Sequence, residues 1–209
     1  MKKLIMLSIA MLVMGGMNMA LAGEGGKGPA SPLKKLDKAT FAGGCFWCME
    51  PPFEKLKGVD AVLSGYTGGR TENPKYEEVS SGRTGHAEAV EILYDPTKIS
   101  YAELLDVFWR NIDPTTRDRQ FVDTGSQYRA AIFYHNDEQK QLAEDSKKKL
   151  AASGRFGKPI VTEIAPAVKF YVAEEYHQDY YKKSSTRYKF YRFNSGRDQY
   201  LEKIWGKEK

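Results

Sequence analysis

The sequence predicts an α+β fold: helices packed on a mixed β-sheet as a two-layer α/β sandwich, with an extra helix and a C-terminal tail wrapping over the core. Strand-like runs alternate with helix-like runs along the chain, and no long strand-only stretch interrupts them. Two helix starts are marked by capping residues, Ser100 and Asn136. One long polar stretch, residues 112–127, fits neither pattern, and irregular segments of that length inside a compact domain often carry function.

Taken in order, "KATFAGG" (residues 38–44) reads as a short strand ending in glycines. "FWCMEPPFEKL" (46–56) reads as a helix that Pro51 and Pro52 must bend or restart. "VDAVLSGYTGG" (59–69) is a strand running into a glycine turn, and "EAVEILYD" (88–95) alternates as a half-buried strand. Ser100, with Glu103 completing a capping box, opens the helix "SYAELLDVFWRNI". "YRAAIFYH" (128–135) is a further strand, Asn136 caps a charged helix through about Ser153, and "PIVTEIA" (159–165) closes the run as a strand. The tail, residues 185–209, is basic with interleaved aromatics. That composition suits single-strand nucleic-acid stacking, but the favoured reading is a packing segment anchored by Tyr191, Phe193, Leu201 and Trp205, with no nucleic-acid partner.

The opening "MKKLIMLSIAMLVMGGMNMALAG" has Lys2 and Lys3, an apolar run from Leu4 to Met14, and small residues ending at Ala22. It reads as a signal peptide, residues 1–22. The run is broken by Gly15 and Gly16 and falls short of the ~20 apolar residues a membrane span needs. The mature chain is therefore expected in a bacterial periplasm, without stable membrane association, where disulfides persist. Residues 23–36, rich in Gly, Pro and Ser, read as a flexible leader. Residues 37–209 form a single domain large enough to bury a core. The 32 Lys and Arg against 27 Asp and Glu give the chain a net charge of +5, and losing Lys2 and Lys3 leaves +3. An excess so mild is weak support for a nucleic-acid partner.

The chain's two cysteines, Cys45 and Cys48, stand in "GGCFWCME" at a strand-to-helix turn. A sulfur at a helix N-terminus meets unpaired N–H groups and the positive end of the dipole, which stabilise a thiolate. Cys45 is thus the better nucleophile, and Cys48, one turn on, is placed to reach it. A permanent disulfide is a weaker reading, because so short a loop removes little entropy from the unfolded chain. "HAE" at residues 86–88 with the C-x-x-C leaves a zinc site as a minor alternative. Glu88, at the end of a core-facing strand, is either a desolvated proton donor or a solvated surface carboxylate. Tyr76 and Tyr128 are ambiguous by pattern, among 13 tyrosines. His135 and His177, the latter in a charged segment expected to be exposed, have no assigned chemistry.

"GGCFWCMEPPF", "GYTGG", "NPKYEEVSSGRTGHAEAVEILYDP", "FVDTGSQYRAAIFY" and "EEYHQDYY", in this order, resemble peptide methionine sulfoxide reductase A across about residues 40–181. The resemblance implies a ferredoxin-like α/β plait and reduction of the S epimer of methionine sulfoxide, free or in oxidised proteins and peptides, to methionine. By the same resemblance, Cys45 attacks the sulfoxide sulfur and Phe46 and Trp47 form the apolar wall for its S-methyl group. Glu88 protonates the oxygen, Tyr76 and Tyr128 hydrogen-bond it, and Asp123 organises the loop beneath. No bound cofactor or metal is implied, and the phosphate-binding patterns G-x-x-x-x-G-K-[ST] and G-x-G-x-x-G do not occur. The chain departs from the commonest pattern of the family at Cys48, where Gly is usual. Within this sequence no cysteine follows Cys48, so either Cys48 resolves the Cys45 sulfenic acid as a disulfide or an outside thiol does so. A thioredoxin-like protein or another dithiol is the expected electron donor.

Overall fold

The computed structural model describes residues 35–206; the expected signal peptide (1–22) and all of the leader but Lys35 and Leu36 lie outside the described residues. The chain runs from β1 (Asp37–Gly43) through α1 (Phe46–Glu54) to β2 (Val59–Thr67), then α2 (Tyr76–Ser80) and β3 (Ala87–Tyr94). After α3 (Tyr101–Trp109) comes a small hairpin of β4 (Arg119–Gln120) and β5 (Asp123–Thr124), then β6 (Ala130–Tyr134) and α4 (Asp137–Ala152). β7 (Glu163–Pro166), β8 (Tyr171–Val172), α5 (Tyr180–Lys183), α6 (Ser185–Asn194) and α7 (Arg197–Trp205) complete it. Six strands form one sheet in the order β7-β6-β1-β3-β2-β8, antiparallel throughout except where β6 meets β7. The α+β class read from the sequence is present, with helices packed on a central mixed sheet.

Strand alternation decides which side chains meet the helices. Phe41 of β1, Val62 and Tyr66 of β2, and Val90, Ile92 and Tyr94 of β3 share the main core with Phe46, Met49 and Phe53 of α1 and Leu104, Leu105 and Phe108 of α3. Phe41 lies at the centre, its ring 5.6 Å from that of Phe53 and 5.0 Å from that of Phe108. Burying side chains of this size contributes roughly 1.5–3 kcal/mol each. Period two carries Glu88 onto the same face as Val90 and Ile92. The opposite face holds a smaller cluster of Ala42, Ala87, Ala89, Ala131 and Phe133, over which Ala167 and Phe170 fold.

Several expectations change in detail. A single helix, α1, passes through Pro51 and Pro52 without restarting. Pro52 cannot donate to the Cys48 carbonyl four residues back, and the Arg192 guanidinium takes that acceptor at 3.4 Å instead. β3 is not half-buried: it lies between β1 and β2 with both faces covered, so Glu88 and Glu91 are buried too. Tyr128 ends a 3-10 turn (Ser126–Tyr128) before β6 begins at Ala130, and the last predicted strand starts only at Glu163. The helix starts hold: Ser100 and Glu103 form the capping box, and the Asn136 side chain accepts from the Gln139 N–H at 2.8 Å. The tail forms two helices. Tyr191 packs against the main core, but Phe193 is 68% exposed and anchors nothing. Its place is taken by Arg197, which is fully buried. No helix among the described residues is long and apolar enough to cross a membrane.

Candidate active site

Gly43 and Gly44 bring β1 into α1 through a turn that admits no side chain. A Cβ on Gly43 would lie 2.6 Å from the Met49 sulfur, and Gly44 has φ +83° with the Gln120 Cβ 2.5 Å from where its own would stand. Cys45 follows as the N-cap of α1, and its carbonyl accepts the Cys48 N–H at 3.0 Å. The first N–H of the helix, on Phe46, is not left for solvent: it donates to Glu88 Oε2 at 3.1 Å. Glu88 reaches it from β3, where it pairs in register with Tyr66 of β2. Nucleophile candidate and acid candidate thus meet at one helix end.

Both are almost closed to water, Cys45 at 7% exposure and Glu88 at 2%. Burial raises the Glu88 carboxyl to about 8, against the pull of the Phe46 N–H, and the Asp123 charge adds to the rise. Glu88 is therefore the desolvated carboxylic acid of the two alternatives read from sequence, neutral at pH 7. The Cys45 thiol departs from expectation. Burial first, then the charges of Glu88, Cys48 and Asp123, push it well above the ordinary thiol value, and a backbone hydrogen bond from Trp47 only partly offsets them. The helix N-terminus is present, but desolvation outweighs it. Cys45 rests as a thiol.

An aromatic wall rises beside this pair. Trp47 stacks on Tyr180, ring centroids 3.7 Å apart and planes 9° from parallel, and meets Tyr191 edge-on at 5.9 Å. Its indole N–H donates to His177 Nδ1 at 3.0 Å. Phe46 is fully buried between Tyr66, at 5.9 Å, and His177, at 4.9 Å. The Tyr76 ring lies 4.4 Å from the His177 ring, and the Tyr76 N–H donates to Glu174, which also accepts from the Tyr66 hydroxyl at 2.8 Å. His177, expected in an exposed segment, is 1% exposed; burial lowers its pKa, so it is neutral and its Nδ1 is the acceptor.

The remaining candidates converge on the same place. Burial and then the Glu88 charge raise both Tyr76, to about 12, and Tyr128, with Cys45 adding to each. Both phenols remain protonated donors. Asp123, in the β4–β5 hairpin, accepts from the Tyr191 hydroxyl, and burial raises its carboxyl. Cys48 is fully buried and, like Cys45, carries a free thiol. Burial raises its pKa, while the Arg197 and Arg192 guanidinium groups oppose the rise. Arg197 also fastens α7 beneath the turn, donating to the Gly43 carbonyl at 3.0 Å and the Asn111 carbonyl at 2.6 Å.

The sequence reading assigned no part in the site to His177, Tyr180, Glu174 or Tyr66, and it marked Tyr191 only as a packing anchor. "EEYHQDYY" contained the first three, but nothing in its charged composition signals that a 3-10 turn (Glu175–His177) tucks the imidazole against Trp47. The zinc alternative fails at His86, where both ring nitrogens are occupied: Nδ1 accepts from the Gly69 N–H at 3.1 Å and Nε2 donates to the Thr71 carbonyl at 2.8 Å. Among the described residues no group of three or more His, Cys, Asp or Glu side chains is arranged to hold a metal ion.

Residues 37–209 match the family model described as peptide methionine sulfoxide reductase. The peptide methionine sulfoxide reductase MsrA of Listeria innocua is 58% identical over 172 residues, which cover 82% of this chain and 97% of that one. Among solved structures, reduced Mxr1 from Saccharomyces cerevisiae aligns with a TM-score of 0.68 at 34% identity, over 74% of this chain and 88% of that one. The same yeast protein in complex with Trx2 aligns with a TM-score of 0.50 at 27% identity, over 74% and 91%. A family match spanning the whole described fold, and a relative 58% identical over 172 residues, make the chain a member of the peptide methionine sulfoxide reductase family and an oxidoreductase.

Proposed function

We propose that the chain reduces the S epimer of methionine sulfoxide, in oxidised proteins, in peptides or free, to methionine. The observation that carries this reading is the Glu88 carboxyl, buried, neutral at pH 7, and held by the Phe46 N–H at the end of the helix that Cys45 caps. Oxide is a very poor leaving group, so cleaving a sulfur–oxygen bond needs an acid on the oxygen side. The substrate's S-methyl group lies against Phe46 and Trp47, and its oxygen points to Glu88, Tyr76 and Tyr128. The two phenols stabilise the oxygen as its charge changes, while Glu88 delivers its proton to it. Cys45 gives its own proton back to Glu88 as its sulfur attacks the sulfoxide sulfur. The protonated oxygen then passes to Cys45 as a hydroxyl. The substrate's sulfur–oxygen bond and the sulfur–sulfur bond formed by the attack both break, and the sulfur–oxygen electron pair stays on the thioether. One thiol and one sulfoxide become one sulfenic acid and one thioether, and Glu88 ends as it began. A neutral Glu88 also spares the developing thiolate a neighbouring negative charge, which a raised thiol requires. Asp123, tied to Tyr191, steadies the hairpin under the site.

Cys48 then attacks the Cys45 sulfenic acid. A disulfide forms and the hydroxyl leaves as water with the Cys48 proton. The Cys48 N–H donates to the Cys45 carbonyl at 3.0 Å, one turn away, and this closeness supports the route over resolution by an outside thiol. Burial raises the Cys48 thiol, and the Arg197 and Arg192 charges oppose that rise without reversing it. A thioredoxin-like donor reduces the disulfide by thiol exchange; the yeast neighbour's structure with Trx2 supports a partner of that kind. The chain is proposed to work in the periplasm after loss of residues 1–22, as one catalytic domain over residues 37–209 preceded by a flexible leader. Steady-state assays with dithiothreitol and the separated epimers test the reaction. Turnover of the S epimer alone, abolished by Cys45→Ser, is expected. Equal turnover of the R epimer, or full activity of Cys45→Ser, contradicts it.

A further inference from the structure

One buried acid has no part in that chemistry. Glu50 lies on α1 three residues beyond Trp47, on the same helical face, and is 2% exposed. Its Oε1 accepts the Asp179 N–H at 2.9 Å, and its Oε2 accepts the Ser64 hydroxyl of β2 at 3.4 Å. Asp179 is a corner in the chain. It takes up a left-handed backbone, φ 54°, unusual for a residue with a side chain, just before α5 begins. The corner separates the two residues that hold the Trp47 ring: His177, which accepts the indole N–H, and Tyr180, which stacks on its face. The residue between His177 and Asp179 is clamped as well, since the Gln178 amide bonds both the N–H and the carbonyl of Ser64 at 2.9 Å. Glu50 and Gln178 therefore fix this strap to β2 and α1 from beneath, with Ser64 common to both.

We propose that Glu50 is a positioning residue for the substrate pocket, holding the 177–180 strap at its left-handed corner so that Trp47 is clamped between His177 and Tyr180. The inference rests on the reading of Trp47 as the substrate wall. Because Glu50 touches neither the sulfur nor the oxygen of a bound sulfoxide, its loss loosens binding and leaves the chemical step. A carboxylate is also not essential, since a side-chain amide presents the same acceptor to the Asp179 N–H and a donor to Ser64.

The test uses the full chain and single-turnover rates against the concentration of a methionine-sulfoxide peptide. Glu50→Met, which fills the space without an acceptor, is expected to raise the half-saturating concentration about tenfold with the saturating rate within threefold. Glu50→Gln should restore both to within twofold of the parent. Glu50→Gln as impaired as Glu50→Met, a fall in saturating rate with unchanged half-saturation, or no change in either variant overturns the proposal. If Glu50→Met does not fold, Glu50→Ala takes its place with the same expected rise in half-saturation, and an unchanged half-saturation in that variant overturns the proposal. Trp47→Ala separates the two readings: if it leaves half-saturation unchanged, the wall itself is wrong; if it raises it while Glu50→Met does not, only the role of Glu50 is.

Discussion

The Phe46 backbone N–H and the Glu88 carboxyl meet at 3.1 Å, and through this contact the acid sits on the first turn of the helix that Cys45 caps. A carboxylate there would be welcome to the helix dipole, yet burial keeps the group neutral up to about pH 8. Desolvation wins over the dipole and over the hydrogen bond. The site thereby holds a proton beside Cys45, where the proposed reaction requires one.

The rate of the reductive step should follow that proton. It is expected to stay level from pH 6 to 7 and to fall above about 8, as Glu88 ionises. Glu88→Gln should lower the rate by about 10²–10⁴, the usual worth of a general acid, and abolish the alkaline fall. Single-turnover methionine formation across pH 6–10 in both proteins checks this, and an alkaline fall persisting in Glu88→Gln points to another group.

The same residue should cost stability. Its folded-state value lies above its ordinary one, so the folded chain holds the proton more tightly than the unfolded chain. Stability therefore declines as pH rises from about 4.5 to about 8 and levels off above, where the full cost is of order 5 kcal/mol. Glu88→Gln keeps an acceptor for the Phe46 N–H without the charge, so its urea midpoint should exceed the parent's at pH 9 and approach it at pH 5. Glu50, whose burial raises it to about 7, contributes with the same sign in both proteins and cancels from the difference.

Tyr180 should act on binding. Its stack with Trp47 is close and nearly parallel, and such pairs are worth about 0.5–1.5 kcal/mol beyond their area. Tyr180→Ala is expected to raise KM several-fold with kcat within threefold, as measured with a methionine-sulfoxide peptide and excess dithiol.

Arg197 and Phe193 give opposite outcomes from neighbouring elements. Arg197→Met strips donors from two carbonyls, of Gly43 and Asn111, and an unsatisfied buried acceptor costs about 1–3 kcal/mol. A clear fall in the denaturation midpoint is expected. Phe193→Ala, on an exposed side chain, should stay within about 0.5 kcal/mol of the parent.

What the sequence made legible follows from how far each signal reaches. Ser100 and Asn136 announce their helices because capping is decided within three residues. Gly43-Gly44 before Cys45 marks a turn without room for side chains. The burial of Glu88 needed the sheet order, since β3 looks amphipathic alone and is covered on both faces only because β1 and β2 flank it. His177 was illegible for the same kind of reason: its burial comes from partners 101 to 131 residues away in sequence, Tyr76 and Phe46 among them. The raised Cys45 thiol is a further case. The helix N-terminus can be read locally, but the enclosure that outweighs it cannot.

The most direct measurement is a single turnover of the pre-reduced chain with the S epimer and no external reductant, counting methionine formed and thiols left. One methionine per chain with both Cys45 and Cys48 thiols lost is the predicted result. No methionine contradicts the reductase chemistry of Cys45, and one methionine with a single thiol lost contradicts the assignment of Cys48 as the residue that closes the cycle.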